Sequence, residues 1–225
     1  MKENTNLEVK DQIDDVGRFE RVVTLQPNTF LNADCMEYLT KCPDNYFQLV
    51  IVDPPYGIGI SSNPVRQAHA KKDWDASPPD KTYFDELMRV SENQIIWGGN
   101  YFNLPPTQNL LVWNKKQPED FSLAMCEFAW NSIQKPAKIF NYSVLLEKDK
   151  IHPTQKPVEL YKWILKLYAK AGDLILDTHV GSASSLIACK ELGFDYVGFE
   201  IDKEYYEQAS KRLERAFRKF ELELK

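Results

Sequence analysis

Leu49-Val50-Ile51-Val52-Asp53-Pro54-Pro55-Tyr56 decides the fold. Four consecutive apolar residues ending on a carboxylate read as a short strand buried on both faces, the pattern of a parallel sheet. Such a strand delivers Asp53 to its carboxyl end, where open α/β sheets bind ligands. The two prolines fix φ and carry no N–H, so the carbonyls at this exit are held in place with no neighbouring donor to consume them. Asp53 and the Pro54 carbonyl then form a rigid pair of acceptors, with the Tyr56 ring beside them, suited to a planar exocyclic amine. That amine is a poor nucleophile because its lone pair is delocalised into its ring. Two acceptors aimed at its N–H bonds favour a pyramidal nitrogen and stabilise the positive charge that grows as a methyl group arrives. Tyr56 is expected to stack on the ring and hold it in line, with its hydroxyl dispensable. The bland reading of the same residues is a Pro-Pro turn after an ordinary strand.

A second strand, Leu174-Ile175-Leu176-Asp177, runs into the small-residue turn Thr178-His179-Val180-Gly181-Ser182-Ala183-Ser184-Ser185 and a helix start. Small residues let a ligand approach the backbone, and the helix N-terminus presents N–H groups. Tyr196-Val197-Gly198-Phe199 then reads as a strand closing on Glu200, about 20 residues beyond the turn, the spacing of an acid that grips two ribose hydroxyls.

Asp-Pro-Pro-Tyr, the later His-Pro-Thr-Gln-Lys-Pro segment (His152 to Pro157), the Asp177 turn and Glu200, in this order, resemble the beta-class DNA amino-methyltransferases, especially the adenine-N6 enzymes. The similarity spans about residues 29 to 210. It implies a doubly wound, mostly parallel α/β sheet of the S-adenosylmethionine-dependent methyltransferase type, with the catalytic half preceding the cofactor loop in sequence. By matching position, Asp53, Pro54, Pro55 and Tyr56 take the catalytic roles. Asp177, His179, Gly181, Ser182, Ala183, Ser184, Glu200 and the adjoining Ile201 line the S-adenosylmethionine site. Lys156, in the Thr-Gln-Lys-Pro stretch, is placed at the methionine end of the cofactor. Asp34 and Cys35, in a segment similar to the family's Gly-Asp-Cys, approach its adenine. This chain has Thr178, His179 and Ala183 where the family carries proline, phenylalanine and a second glycine, so an altered rather than abolished cofactor site is expected. The three histidines, His69, His152 and His179, have no Cys or carboxylate at ligand spacing, and no metal site is expected.

At 225 residues and 43% apolar content the chain has room for one buried domain. Residues 1 to 18 read as a flexible tail and 19 to 225 as a single methyltransferase domain, with substrate-contacting insertions within 57 to 156. No signal peptide is expected, the sequence has no apolar stretch of membrane-spanning length, and Cys35, Cys42, Cys126 and Cys189 lack paired spacing. The expectation is a cytoplasmic protein, bacterial or phage-encoded. Strands are expected at 29–33, 48–53, 94–98, 109–113, 173–177 and 195–200, with antiparallel edge strands at 126–130 and 139–145. Helices are expected at 35–41, 81–91, 157–170, 184–192 and 203–220, the last capped by Asp202. Alternation of this kind implies a doubly wound sheet.

Candidate DNA contacts are Lys71 and Lys72 in the loop after the catalytic turn, Trp97 and Asn100 around a Gly-Gly pair, and Lys115 and Lys116 at the end of a strand. A solvated linker and a core tryptophan with surface lysines are the bland equivalents. The chain carries −5 overall, yet residues 57 to 157 hold 12 Lys and Arg against 11 Asp and Glu. Double-stranded DNA is therefore expected to bind modestly and with strong salt dependence, or with help from a second copy or a companion specificity subunit. The reading is adenine-N6 methylation of a flipped base. Cytosine-N4 methylation uses the same acceptors, and Asp rather than Ser at position 53 favours adenine by family habit. Cytosine-C5 chemistry needs a thiolate in a Pro-Cys context, and this chain has only the reversed Cys42-Pro43. A non-catalytic DNA-binding subunit of a methylation complex is the reading from another class.

Overall fold

The computed structural model describes residues 7–13, 19–59, 75, 77–120, 124–147 and 150–223. An eight-stranded sheet is built from β3 (Thr29–Leu31), β4 (Leu49–Val52), β5 (Gln94–Trp97), β6 (Leu110–Asn114), β7 (Cys126–Asn131), β8 (Lys138–Asn141), β9 (Leu174–Asp177) and β10 (Asp195–Phe199), in the order β3-β10-β9-β4-β5-β7-β6-β8. Only β7 runs against the others. The helices are α1 (Met36–Leu39), α2 (Lys81–Arg89), α3 (Val158–Tyr168), α4 (Ser184–Leu192) and α5 (Lys203–Glu223).

Alternation along the central strands explains the layering. Leu49 and Ile51 of β4 point into one core with α3, α4 and α5, while Val50 and Val52 point into the other with α1 and α2. A strand buried on both faces has no polar side to show, which is why β4 and β5 are buried at every position. Removing a large aliphatic side chain such as Leu49 or Ile51 from water contributes about 1.5–3 kcal/mol. Asp80 caps α2, accepting from Tyr83 N at 3.1 Å, and Asp202 receives Tyr205 N at 3.0 Å at the head of α5.

Three expectations need correction. The strand at 126–130 is antiparallel but interior, because β7 lies between β5 and β6; the one at 139–145 is shorter, sits at the edge and runs parallel to β6. The flexible tail is replaced over Leu7–Ile13 by β1, which pairs antiparallel with β2 (Phe19–Leu25) in a separate two-stranded sheet. Leu7, Val9 and Ile13 sit at strand spacing, a signal diluted by the charged residues between them.

Candidate active site

β4 and β9 are hydrogen-bonded neighbours, with Leu49 opposite Ile175 and Val50 opposite Leu176. From β4 the chain builds the sheet one way and from β9 the other, so Asp53 and Asp177 emerge side by side at the switch point of the sheet. Buried Asp75 holds the exit of β4, its Oδ1 accepting from Tyr56 N at 2.8 Å and Gly57 N at 2.9 Å. The Tyr56 ring lies so close to Gly98 that a Cβ there would fall 2.2 Å from Cε1. It also stacks on Tyr101, with centroids 4.9 Å apart and planes 15° apart. The Tyr56 hydroxyl donates to Asp53 Oδ1 at 2.5 Å. The hydroxyl is therefore engaged rather than dispensable, and one ring face is already covered. Tyr56→Phe removes a hydrogen bond to a carboxylate, and turnover is expected to fall about tenfold. A wild-type rate for the Phe variant in a steady-state assay would show the hydroxyl to be idle.

Behind Asp53 lies a chain of alternating charges. The Lys156 ammonium, 3% exposed, pairs with Asp53 Oδ2 and with Glu127 Oε2 at 3.0 Å, and Glu127 Oε1 pairs with Lys115 at 2.5 Å. Burial raises the Asp53 carboxyl above the usual carboxylate range despite Lys156 beside it. Burial pushes Glu127 the same way, but its two ammonium neighbours outweigh that and hold it down at about 2. Burial opposes the charge on Lys156, whereas the two carboxylates raise its pKa and keep it protonated. Three sequence expectations change here. Lys156 stands against the Asp53 carboxylate, placed by the run into α3. Lys115 is a buried ion-pair partner rather than a surface contact for phosphate. Trp97 is wholly buried, its ring 5.2 Å beneath the Lys156 ammonium.

A cavity of about 520 Å³ opens over this chain, walled by the Asp53–Tyr56 turn, Asn100, Tyr101, Glu127, Gln155 and Lys156 among others. Asn100 lines it and Lys116 is exposed beside it; Lys71 and Lys72 lie outside the described residues. Sequence reading missed Glu127, Asp75, Tyr101 and Gln155. None left a usable local signal: Glu127 meets Lys115 because Trp113 faces Glu127 across the β6–β7 pair, which makes Lys115, two residues on, its diagonal neighbour on the same face.

Across the β4–β9 boundary, Glu200 Oε2 accepts from Gly181 N at 2.8 Å and Oε1 from Asp202 N at 2.9 Å. Exposed Ile201 follows it, and Asp34 is exposed at the head of α1. Gly181 leaves room, since a Cβ there would meet nothing nearer than the His152 ring at 3.9 Å. A carboxylate beside an open glycine turn and an exposed aliphatic residue fits a nucleoside with two ribose hydroxyls. Other residues assigned to the cofactor face inward. Asp177 spends its oxygens on His179 N at 3.0 Å and Ser185 Oγ at 2.5 Å, and burial raises its carboxyl to about 7. Ser182 O and Ser184 Oγ receive Arg212 at 2.6 and 3.0 Å. Ala183 is fully buried with φ +62°, the left-handed region that favours glycine. Cys35 is buried, with its thiol pushed up to about 12. The bonds of Asp177, Ser182 and Ser184 within the chain hold the turn in shape, and Cys35 packs at the head of α1. Burial lowers the His179 imidazole to about 4, so it is neutral, and it packs edge-on against Tyr83. No group of three or more His, Cys, Asp or Glu among the described residues could hold a metal ion, and no described helix is long and apolar enough to cross a membrane.

Solved structures share this architecture. The M1.HpyAVI complex with SAM superposes with a TM-score of 0.59 at 21% identity, covering 82% of this chain and 98% of that one. The cytosine-N4-specific PvuII DNA methyltransferase gives 0.57 at 13%, covering 85% and 90%. At these identities the likeness is one of fold. Sequence relatives reach further. The type II methyltransferase M2.DpnII of Streptococcus pneumoniae is 27% identical, over 82% of this chain and 88% of its own. The type II methyltransferase M.HpaI of Haemophilus parainfluenzae is 42% identical, over 84% of this chain and 75% of its own. A family profile described as DNA methylase, of the N6/N4 methyltransferase type, matches residues 89–211, more than half of the chain. With a profile match of that extent and a relative of that identity, this protein belongs to the N6/N4 DNA methylase family.

Proposed function

We propose that the chain transfers a methyl group from S-adenosylmethionine to the N6 amine of adenine in double-stranded DNA, after taking the base out of the helix. The observation that carries this is the Asp53 carboxylate on the wall of the cavity, at the carboxyl end of β4 and beside the cofactor-side turn. S-adenosylmethionine, held by Glu200 with Gly181 and Ile201, supplies an electrophilic methyl group on a sulfonium. Asp53 and the Pro54 carbonyl accept the two amine N–H bonds and turn the nitrogen lone pair toward that methyl. The carboxylate has lone pairs beyond those given to Tyr56 and Lys156, so the amine need not displace either. As the new C–N bond forms, the methyl–sulfur bond breaks with its electron pair left on sulfur, so that a neutral thioether departs; the nitrogen sheds one proton, and burial makes Asp53 a better acceptor for it than an exposed aspartate. Gln155 Oε1 accepts from Ile151 N at 3.1 Å, which leaves Nε2 without a partner among the described residues. The ring nitrogen beside an exocyclic amine accepts a donor of that kind.

Residues 57–156 are proposed to supply the DNA contacts within one domain that begins at residue 19. The test is digestion to nucleosides of DNA treated with the protein and S-adenosylmethionine, followed by mass spectrometry. N6-methyladenine is expected. N4-methylcytosine would keep the acceptor chemistry and overturn the choice of base, and no methylated nucleoside would favour a non-catalytic DNA-binding subunit. Sequencing the treated DNA with modification detection then gives the recognition site.

A further inference from the structure

Leu145 is the most exposed large apolar side chain among the described residues that line the cavity, at 83%. It stands on a single 3-10 turn, Val144–Leu146, and that turn is tied down. Val144 N bonds Lys115 O at 3.4 Å, Ser143 Oγ accepts from Leu145 N at 3.3 Å, and Tyr142 bonds back to β6 through Asn114 O at 3.1 Å and the Trp113 indole N–H at 2.9 Å. The backbone is thus fixed to the same strand end that carries Lys115 of the buried ion chain, while the side chain projects from the rim. Ile58 and Tyr101, also exposed, stand on the same rim. Single exposed apolar residues are ordinary, but several around one opening mark an interaction site. The side chains of Lys116, next to the residue that anchors the turn, and of Lys150, on the cavity wall, are exposed, and their charge suits a polyanion.

We propose that Leu145 is a wedge that enters the duplex beside the cavity and fills the space left by the extruded base. The inference rests on the adenine-methylation reading and adds the residue that keeps the base out. Extrusion leaves a hole in the stack and an unpaired partner base, and both pull the base back. A branched aliphatic side chain in the hole restores apolar contact with the flanking base pairs and blocks return, as apolar wedges do between base steps elsewhere. Leucine on a braced turn loses little freedom on insertion, whereas the same residue left in water gains nothing from its position.

The test compares wild type, Leu145→Ala and Leu145→Met on two duplexes carrying the recognition site found above, one fully paired and one abasic opposite the target adenine. The abasic strand removes the partner that draws the base back, so a wedge is no longer needed. On paired DNA, kcat/KM of Leu145→Ala is expected to fall about tenfold or more, with Leu145→Met close to wild type. On the abasic duplex the three proteins are expected to agree within about twofold, since no base pair has to be opened. Equal rates on paired DNA overturn the wedge, and so does an Ala defect that persists undiminished on the abasic duplex. Wild-type protein that methylates neither duplex overturns the parent reading instead. Because the side chain is exposed, the substitution does not endanger the fold.

Discussion

Asp53→Ala is expected to slow methyl transfer about 10²–10³-fold, the usual loss when one preorganised partner of a developing charge is removed. The loss should appear in kcat and kcat/KM alike, because the acceptor acts on charge that exists only in the transition state. Binding of S-adenosylmethionine should be nearly unchanged. Glu200, Gly181 and Ile201 lie across the β4–β9 boundary, so the cofactor side keeps its support, whereas Lys156 keeps only Glu127 and the buried chain is left one positive charge in excess, so the variant should also lose some stability. Asp53→Asn keeps an acceptor oxygen and should lose less. Single-turnover rates with labelled cofactor, set beside calorimetric titration of each variant, separate the two effects. Turnover by Asp53→Ala near the wild-type rate would sink the catalytic assignment, whereas loss of cofactor binding in step with rate would make Asp53 a structural residue.

What was legible in the sequence follows from how local each signal is. The apolar runs of β4 and β9, the Pro-Pro exit and the cap Asp202 act within a few residues, and each stands where its pattern places it. Adjacency of β4 and β9 belongs to the folded sheet, since nothing in either strand names its neighbour. The ion chain was not legible. Lys156 reads as a cofactor contact from its motif and Lys115 as a surface cation from its run. Their meeting on Glu127 depends on the β6–β7 register and on a long connection to α3. Trp97 misled for a related reason. The Gly-Gly pair after it looks like a ligand approach, but Gly98 is small because the Tyr56 ring needs the space. Of the departures in the Asp177 turn, Ala183 is accounted for by burial, since it packs into the core at a left-handed position. Its methyl gains burial there at the cost of a conformation that costs an L-residue about 1–2 kcal/mol.

The same chain of charges sets the second large effect, the response to Glu127→Gln. Asp53, Lys156, Glu127 and Lys115 alternate in sign and sum to zero, so the neutral amide leaves one buried ammonium uncompensated. Breaking a buried pair in this way costs about 3 kcal/mol, or roughly 6–12 °C in Tm for a domain of this size. The double variant Glu127→Gln with Lys115→Met restores neutrality and should recover part of that loss. Because Glu127 is held at about 2 against an ordinary 4.5, its contribution to stability is complete above pH 4.5 and is lost as pH falls toward 2. The variant should therefore show a flatter acid unfolding curve over that interval. Activity should report the change separately. Glu127 raises the Asp53 carboxyl, so without its charge Asp53 ionises at lower pH, and the acid limb of the kcat profile should move to lower pH. Lys156 and the Tyr56 hydroxyl also face Asp53, and neither reverses the sign, since both already favour the carboxylate. Thermal unfolding and a pH–rate profile on the same preparations decide the matter. An unchanged Tm with an unmoved acid limb would show that Glu127 neither balances the buried ammonium groups nor reaches the Asp53 carboxylate.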